Sequence, residues 1–235
     1  MIPALQPSQQ RGFTLVELLI AMTVAIIILG AIYSAYTVQQ KQYIAQAQVT
    51  DMQQNIRGAM SLLTRDIRMA GYDLSGEAGA RLLRIEDDLL YFTSDLNNDG
   101  SLDDPGEYIV YDLYTSASSS LSTLGRASSS TAIGINEVPG GSGHYEANNP
   151  STATHQPVAQ VIEAIRFTYR DKNDTITSDP DQVRTIVVAL LARAEKGDPE
   201  FVNNSSYPIG GPWPKGDHFR RRYLEMNIQC RNLGL

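Results

Sequence analysis

Residues 12–33 read GFTLVELLIAMTVAIIILGAIY, an apolar run in which only Thr14, Glu17 and Thr23 are polar. As a helix, Phe13 to Tyr33 rises about 31 Å at 1.5 Å per residue, enough to cross the hydrocarbon core of a bilayer once. Glu17 is the anomaly in this run. An ionised carboxylate in hydrocarbon costs a few kcal/mol even on lenient insertion scales, so an acid near the start of a membrane segment needs a partner or a purpose.

The leader, residues 1–12, carries one basic side chain, Arg11, and no apolar core. A secretory signal places its hydrophobic region before the cut, whereas here it follows. Tyr33 and Leu29 also stand where cleavage after Ala35 or Ala31 would require small side chains. The apolar segment is therefore expected to stay with the chain. Arg11 precedes the span and Lys41 is the first Lys or Arg after it. The positive-inside preference then favours a cytoplasmic N-terminus and translocation of everything downstream.

Gly12-Phe13-Thr14-Leu15-Val16-Glu17 resembles the class III signal of type IV prepilins and of type II secretion pseudopilins. The resemblance implies cleavage between Gly12 and Phe13 by a membrane prepilin peptidase, N-methylation of Phe13, and retention of the apolar helix for packing into a filament. Glu17 would carry the assembly role. The new amine on Phe13 is a cation in low dielectric, and a Glu17 carboxylate of the same or a neighbouring subunit can offset it. The competing reading is an uncleaved membrane anchor that tolerates its acid.

Beyond Tyr36 the composition turns polar, yet Val49, Met52, Ile56, Met60, Leu63, Ile67 and Ala70 recur at spacings of three and four. That spacing marks one face of a helix. No proline occurs between Pro7 and Pro105, and Gly71 follows Ala70 where a helix C-cap favours glycine. One continuous helix from Phe13 to about Ala70 is predicted, its first half facing lipid or filament core and its second presenting a stripe to a globular domain.

Downstream, Leu89–Thr93, Tyr108–Tyr114, Val161–Tyr169, Val183–Ala192 and Tyr223–Cys230 are rich in Val, Ile, Tyr and Phe and read as strands. Val183–Ala192 is apolar on both faces, which places it centrally in a sheet. A short strand is also expected at Leu121–Arg126. The expected fold class is α+β, a long N-terminal helix packed on a mostly antiparallel sheet, which the prepilin resemblance implies is type IV pilin-like. Its divisions are the leader 1–12, the membrane or filament-core half 13–36, the amphipathic half 37–71, and a β-rich domain over 72–235.

Asp95-Leu-Asn97-Asn-Asp99-Gly100-Ser101-Leu-Asp103-Asp104 resembles the first half of an EF-hand-like calcium loop. Calcium takes about six to eight oxygens, which alternate residues Asp95, Asn97 and Asp99 can direct to one centre while Gly100 permits the bend and Ser101 adds its carbonyl. The twelfth position is Gly106 instead of glutamate, so Asp103, Asp104 or Glu107 would complete the shell. From Ile85 to Gly125 there are nine acids and no Lys or Arg, against a net charge of −7 for all 235 residues. Crowded carboxylates call for solvent, protons or a cation. Strands flanking the loop place it at a hairpin tip, and calcium is favoured there over the plainer alternative, a solvated acidic loop without metal.

Other features carry less. Asp171-Lys172-Asn173-Asp174 reads as a solvated hairpin loop. His144, His155 and His218 are far apart, no zinc-ligand spacing exists, and no Gly-x-Ser-x-Gly elbow is present, so no catalytic site is assigned. Cys230 is the sole cysteine and reads as a small core residue. Arg220-Arg221-Arg222 reads as a solvated edge, and the negative charge of the chain argues against nucleic acid as a partner. Trp213, in a Pro/Gly loop, could pin that loop or form a contact.

The helix end Thr64–Tyr72, the acidic hairpin, the Val161–Tyr169 strand with Asp171 after it, and Arg231-Asn232 together look like PilW-type minor pilins. That resemblance implies a low-copy subunit which helps initiate or cap type IV pilus assembly. Its partners would be other minor pilins, the major pilin, the prepilin peptidase and the inner-membrane assembly platform. The protein would sit in the inner membrane and then in the pilus at the cell surface. A J-type pseudopilin of type II secretion is the near alternative. A membrane-anchored periplasmic calcium-binding or enzymatic domain is the alternative of another class.

Overall fold

A computed structural model of the chain describes residues 12–115, 122–133, 154–211 and 215–234. The elements are α1 (Leu15–Met69), β1 (Leu82–Ile85), β2 (Leu90–Thr93), β3 (Tyr108–Thr115), β4 (Ser122–Ser129), β5 (Thr154–Gln160), β6 (Ile162–Arg170), β7 (Thr185–Arg193) and β8 (Arg221–Gln229), with a 3-10 turn at Pro180–Gln182. The chain divides into two compact units, one ending at Ala47 and one beginning at Gln48. The Gly/Ser-rich stretch 134–153 with His144, and the loop position Trp213, lie outside the described residues.

The first unit holds the apolar half of α1. Its side chains, including Leu15, Leu18, Ile20, Ile26, Ile27 and Leu29, are exposed, and this half is long and apolar enough to cross a membrane. Gly30 lies inside the unbroken helix. The helix starts at Leu15, just after the apolar run begins at Phe13: Thr14, in non-helical backbone, accepts a hydrogen bond from Glu17 N–H through its Oγ1 at 3.2 Å.

In the second unit the predicted stripe is the buried face of α1. Met52, Ile56, Met60, Leu63 and Ile67 are buried there, together with Ala59 and Ala70. The helix ends as its glycine requires. Gly71 has φ +73°, and a Cβ there would come within 2.4 Å of Leu233 Cδ2. Its N–H donates to Thr93 O at 2.9 Å, turning the chain toward the strands.

The strands were expected to make one sheet, and there are two. β1-β2-β3-β4-β5 form one and β6-β7-β8 the other, with antiparallel pairing throughout. The division falls at Val161, which lies between β5 and β6 with φ +63°. A left-handed β-branched residue breaks the pleat, so the chain leaves one sheet and enters the other. Two strands were not anticipated: β1, only four residues long, and β5, whose Thr-His-Gln-Pro opening lacks a strand signature.

The core is shared by α1 and both sheets. Phe92, Tyr111 and Leu124 come from the larger sheet, and Phe167, Ile186, Val188, Leu190 and Ile228 from the smaller, against Met60, Leu63 and Ile67. β7 is central, and both its faces are buried because Ala189 and Leu191 on the reverse side pack against Ile209. The two sheets are tied by Phe167 N–H donating to Asp87 O at 2.7 Å, and the Tyr169 hydroxyl lies 3.0 Å from both Glu86 O and Leu89 O. Cys230 is buried just past β8, and that burial pushes its thiol up to about 12, so it stays protonated and unreactive.

One polar residue interrupts the buried stripe of α1. Asp66, 5% exposed, accepts hydrogen bonds from Tyr111 Oη of β3 at 2.8 Å and Arg126 Nε of β4 at 2.7 Å. Its other oxygen accepts from Arg65 Nε at 3.0 Å. Burial, and then the adjacent Asp66 charge, hold the Tyr111 phenol well above the ordinary tyrosine range.

Removing one partner of a buried ion pair strands the other. Asp66→Ala should destabilise the protein by about 3 kcal/mol, more than Tyr111→Phe, measured by denaturant unfolding in detergent. Equal small losses for both would show the pair to be idle. At the sheet junction, Val161→Asn should stabilise by about 1 kcal/mol, roughly 2–4 °C in Tm, because asparagine tolerates the left-handed region.

Candidate functional site

Two groups of residues singled out in the sequence bear on function, one in each unit. The first is Gly12, Phe13 and Glu17. Gly12, Phe13 and Thr14 lie outside the helix, and both Gly12 and Phe13 are exposed, so the Gly12–Phe13 bond is in open, non-helical chain. Glu17 is also exposed. Its Oε2 accepts from Thr14 N–H at 2.9 Å and from Thr14 Oγ1 at 2.9 Å. Together with the Glu17 N–H to Thr14 Oγ1 bond, this is a reciprocal capping box. Its signal in the sequence is the Thr-x-x-Glu spacing from Thr14 to Glu17. Oε1 makes no hydrogen bond among the described residues, so the same carboxylate that caps its own helix keeps one oxygen for another donor.

The second group is the acidic loop between β2 and β3, in the second unit. Its residues split into two sets. Asp95 and Glu107, both fully buried, fold the loop: Asp95 accepts from Asn98 N–H at 2.6 Å and Gly100 N–H at 3.1 Å, and Glu107 from Leu96 N–H at 3.2 Å and Asp104 N–H at 2.9 Å. Asn98, at φ +61°, and Gly100, at φ +81°, supply the bend.

The remaining residues converge on the outside. One carboxylate oxygen from each of Asp99, Asp103 and Asp104 lies within 4.8 Å of the other two. Asn97 Nδ2 donates to Asp99 Oδ2 at 2.9 Å and Asp104 Oδ2 at 2.6 Å. Ser101 Oγ sits 2.8 Å from Asp99 Oδ1 and 2.5 Å from Asp103 Oδ1. A hydroxyl has one proton and can serve only one of those oxygens. Hydrogen bonds from the Ser101 side chain, then its backbone, then Asn97 hold the Asp99 carboxyl below the usual range. Asp99 therefore stays ionised, and the three carboxylates converge on a small space that a hard cation would fit.

The arginine run is not a solvated edge. Arg221, with its side chain 1% exposed, donates to Glu163 through Nε at 2.5 Å and to Asp217 through Nη1 at 2.9 Å and Nη2 at 2.6 Å. Arg220 bonds Asp198 at 2.8 Å and lies 4.2 Å over the Phe201 ring. Arg222 is exposed. Asp217 lies four residues before Arg221, but Glu163 and Asp198 are distant in sequence, and it is they that a local reading could not anticipate. The Asp171 loop behaves as predicted, its side chain accepting from Asn173 and Thr175 N–H groups at 2.8 and 2.9 Å.

Comparison with known proteins follows the same division. Residues 7–33 match the family described as Prokaryotic N-terminal methylation motif, and residues 45–207 match the family described as Prepilin peptidase-dependent protein B. No curated protein matches the chain. Among solved structures, the "Type IV-like pilin TTHA1219 from Thermus thermophilus" is similar at 17% identity and a TM-score of 0.40, covering 77% of this chain and 97% of that one. An exposed apolar helix that opens on a methylation motif thus leads into a helix-and-sheet unit matched over most of its length, and the chain belongs to the prepilin peptidase-dependent protein B family of type IV prepilin-like proteins.

Proposed function

We propose that this protein is a minor pilin of PilW type, a subunit with a structural and interaction role that helps initiate or cap type IV pilus assembly. The observation that carries the reading is the free Oε1 of Glu17 on an exposed apolar helix. Cleavage between Gly12 and Phe13 gives Phe13 a cationic amine, which is then N-methylated. In a filament core of low dielectric, that amine on one subunit is offset by the free Glu17 oxygen of another. The protein inserts once in the inner membrane with its N-terminus cytoplasmic, and passes from there into the pilus at the cell surface. Other minor pilins and the major pilin pack on its N-terminal half, and the prepilin peptidase and the inner-membrane assembly platform handle it before assembly.

A calcium ion at the β2–β3 loop is a second element of the proposal. The convergence of Asp99, Asp103 and Asp104 favours it, with Asn97 and Ser101 alongside. Asp95 and Glu107 would shape the site from within and hold the loop closed.

Glu17→Gln separates cap from charge, because an amide oxygen still accepts from Thr14. Leader removal should proceed in Glu17→Gln and Glu17→Ala, as read by intact mass and N-terminal sequencing. Incorporation into filaments should fail in both. Filaments containing normal amounts of the glutamine variant would disprove the ionic role. Gly12→Val should leave the leader attached and abolish incorporation with it.

For the metal, millimolar calcium should raise the unfolding temperature of the full chain in detergent. The paired substitution Asp103→Asn and Asp104→Asn should remove that response. An identical thermogram with calcium or with chelator would sink the assignment.

A further inference from the structure

A groove of about 1020 Å³ lies along the second unit, between the solvent side of the C-terminal half of α1 and β8. Its charged side chains are Arg57, Arg65, Arg68 and Arg231, and among the described residues no carboxylate lines it. In a chain of net charge −7 this is a concentrated cationic strip. Arg57, Arg68 and Arg231 make no ion pair with any described residue. Arg65 touches Asp66 yet leaves its side chain 70% exposed. The floor is apolar: Leu224 and Met226 come from β8, and Met226 is 41% exposed.

β8 is the last strand of its sheet, paired among the described residues only with β7. The edge of such a strand offers a row of backbone donors and acceptors that another strand can pair with. A strand added there would continue the sheet beneath α1. Its alternate side chains would lie over Leu224 and Met226 and reach the arginines.

We propose that this groove receives an extended segment of another pilin-type subunit, one that alternates apolar and acidic residues and joins the free edge of β8. The inference rests on the pilin reading and specifies one contact within it. Guanidinium forks match carboxylates bidentately, and a methionine floor adapts to the apolar residues between them. A lipid headgroup or a nucleic-acid backbone would use the arginines but neither the strand edge nor the apolar floor, which is why a protein segment is favoured.

The test places a photoactivatable p-benzoylphenylalanine at Ser61, on the groove wall, in the full chain in cells that assemble filaments. Mass spectrometry should identify a cross-linked peptide from a different protein with a prepilin leader, carrying more Asp and Glu than Lys and Arg. Arg57→Glu with Arg68→Glu should cut the adduct by about tenfold or more, whereas Arg57→Lys with Arg68→Lys should keep most of it. An adduct to a second copy of this chain, to lipid or to nucleic acid would overturn the proposal, as would no adduct or one indifferent to charge reversal. Intact mass of the same sample distinguishes the two levels. Processed chain in Glu17-dependent filaments without the adduct rejects the groove alone, and an unprocessed leader rejects both.

Discussion

Asp66 is the hinge of the globular architecture. A helix can lie on a sheet by burying an apolar stripe, but such a stripe fixes neither its rotation nor its register closely. The carboxylate inside the stripe does, because it must meet Tyr111 and Arg126 or remain buried and unpaired. Those partners sit on adjacent strands, β3 and β4, so one residue ties the helix to two strands of the larger sheet at once. The alternative placements, one helical turn up or down, would leave a charge in a low-dielectric core. Specificity here comes from the cost of getting the placement wrong.

Much of this was written locally. The helix, its stripe and its glycine stop follow from spacing and from the need for positive φ at Gly71. β7 announced itself by being apolar on both faces, and its central position follows from that alone. What stayed hidden depends on distant partners. Asp66 read as one charge among others in Thr64–Tyr72 until Tyr111 and Arg126, far along the chain, enclosed it. Arg221 read as solvent-facing until Glu163, 58 residues away on β6, closed on it. The second sheet was illegible because its cause, a left-handed Val161, runs against the preference of its residue type.

The acidic loop shows how one composition can serve two ends. Asp95 and Glu107 look like the terminal ligands of a cation site by position, yet their oxygens take the N–H groups of the loop itself. The exposed trio, Asp99, Asp103 and Asp104, is then presented on a scaffold held by buried acids. The inner pair explains why the loop keeps its shape at a hairpin tip. The outer set is where any external charge would act.

The capping box at the start of α1 bears on how the proposed maturation would proceed. Thr14 and Glu17 wind the first turn by themselves, so the helix does not depend on what precedes Phe13. Removing the leader would therefore alter the electrical character of the tip and leave its contour alone. If the leader is cut as proposed, the subunit would be finished as a shape before it is switched on as a charge, and proteolysis would act on it as a timer.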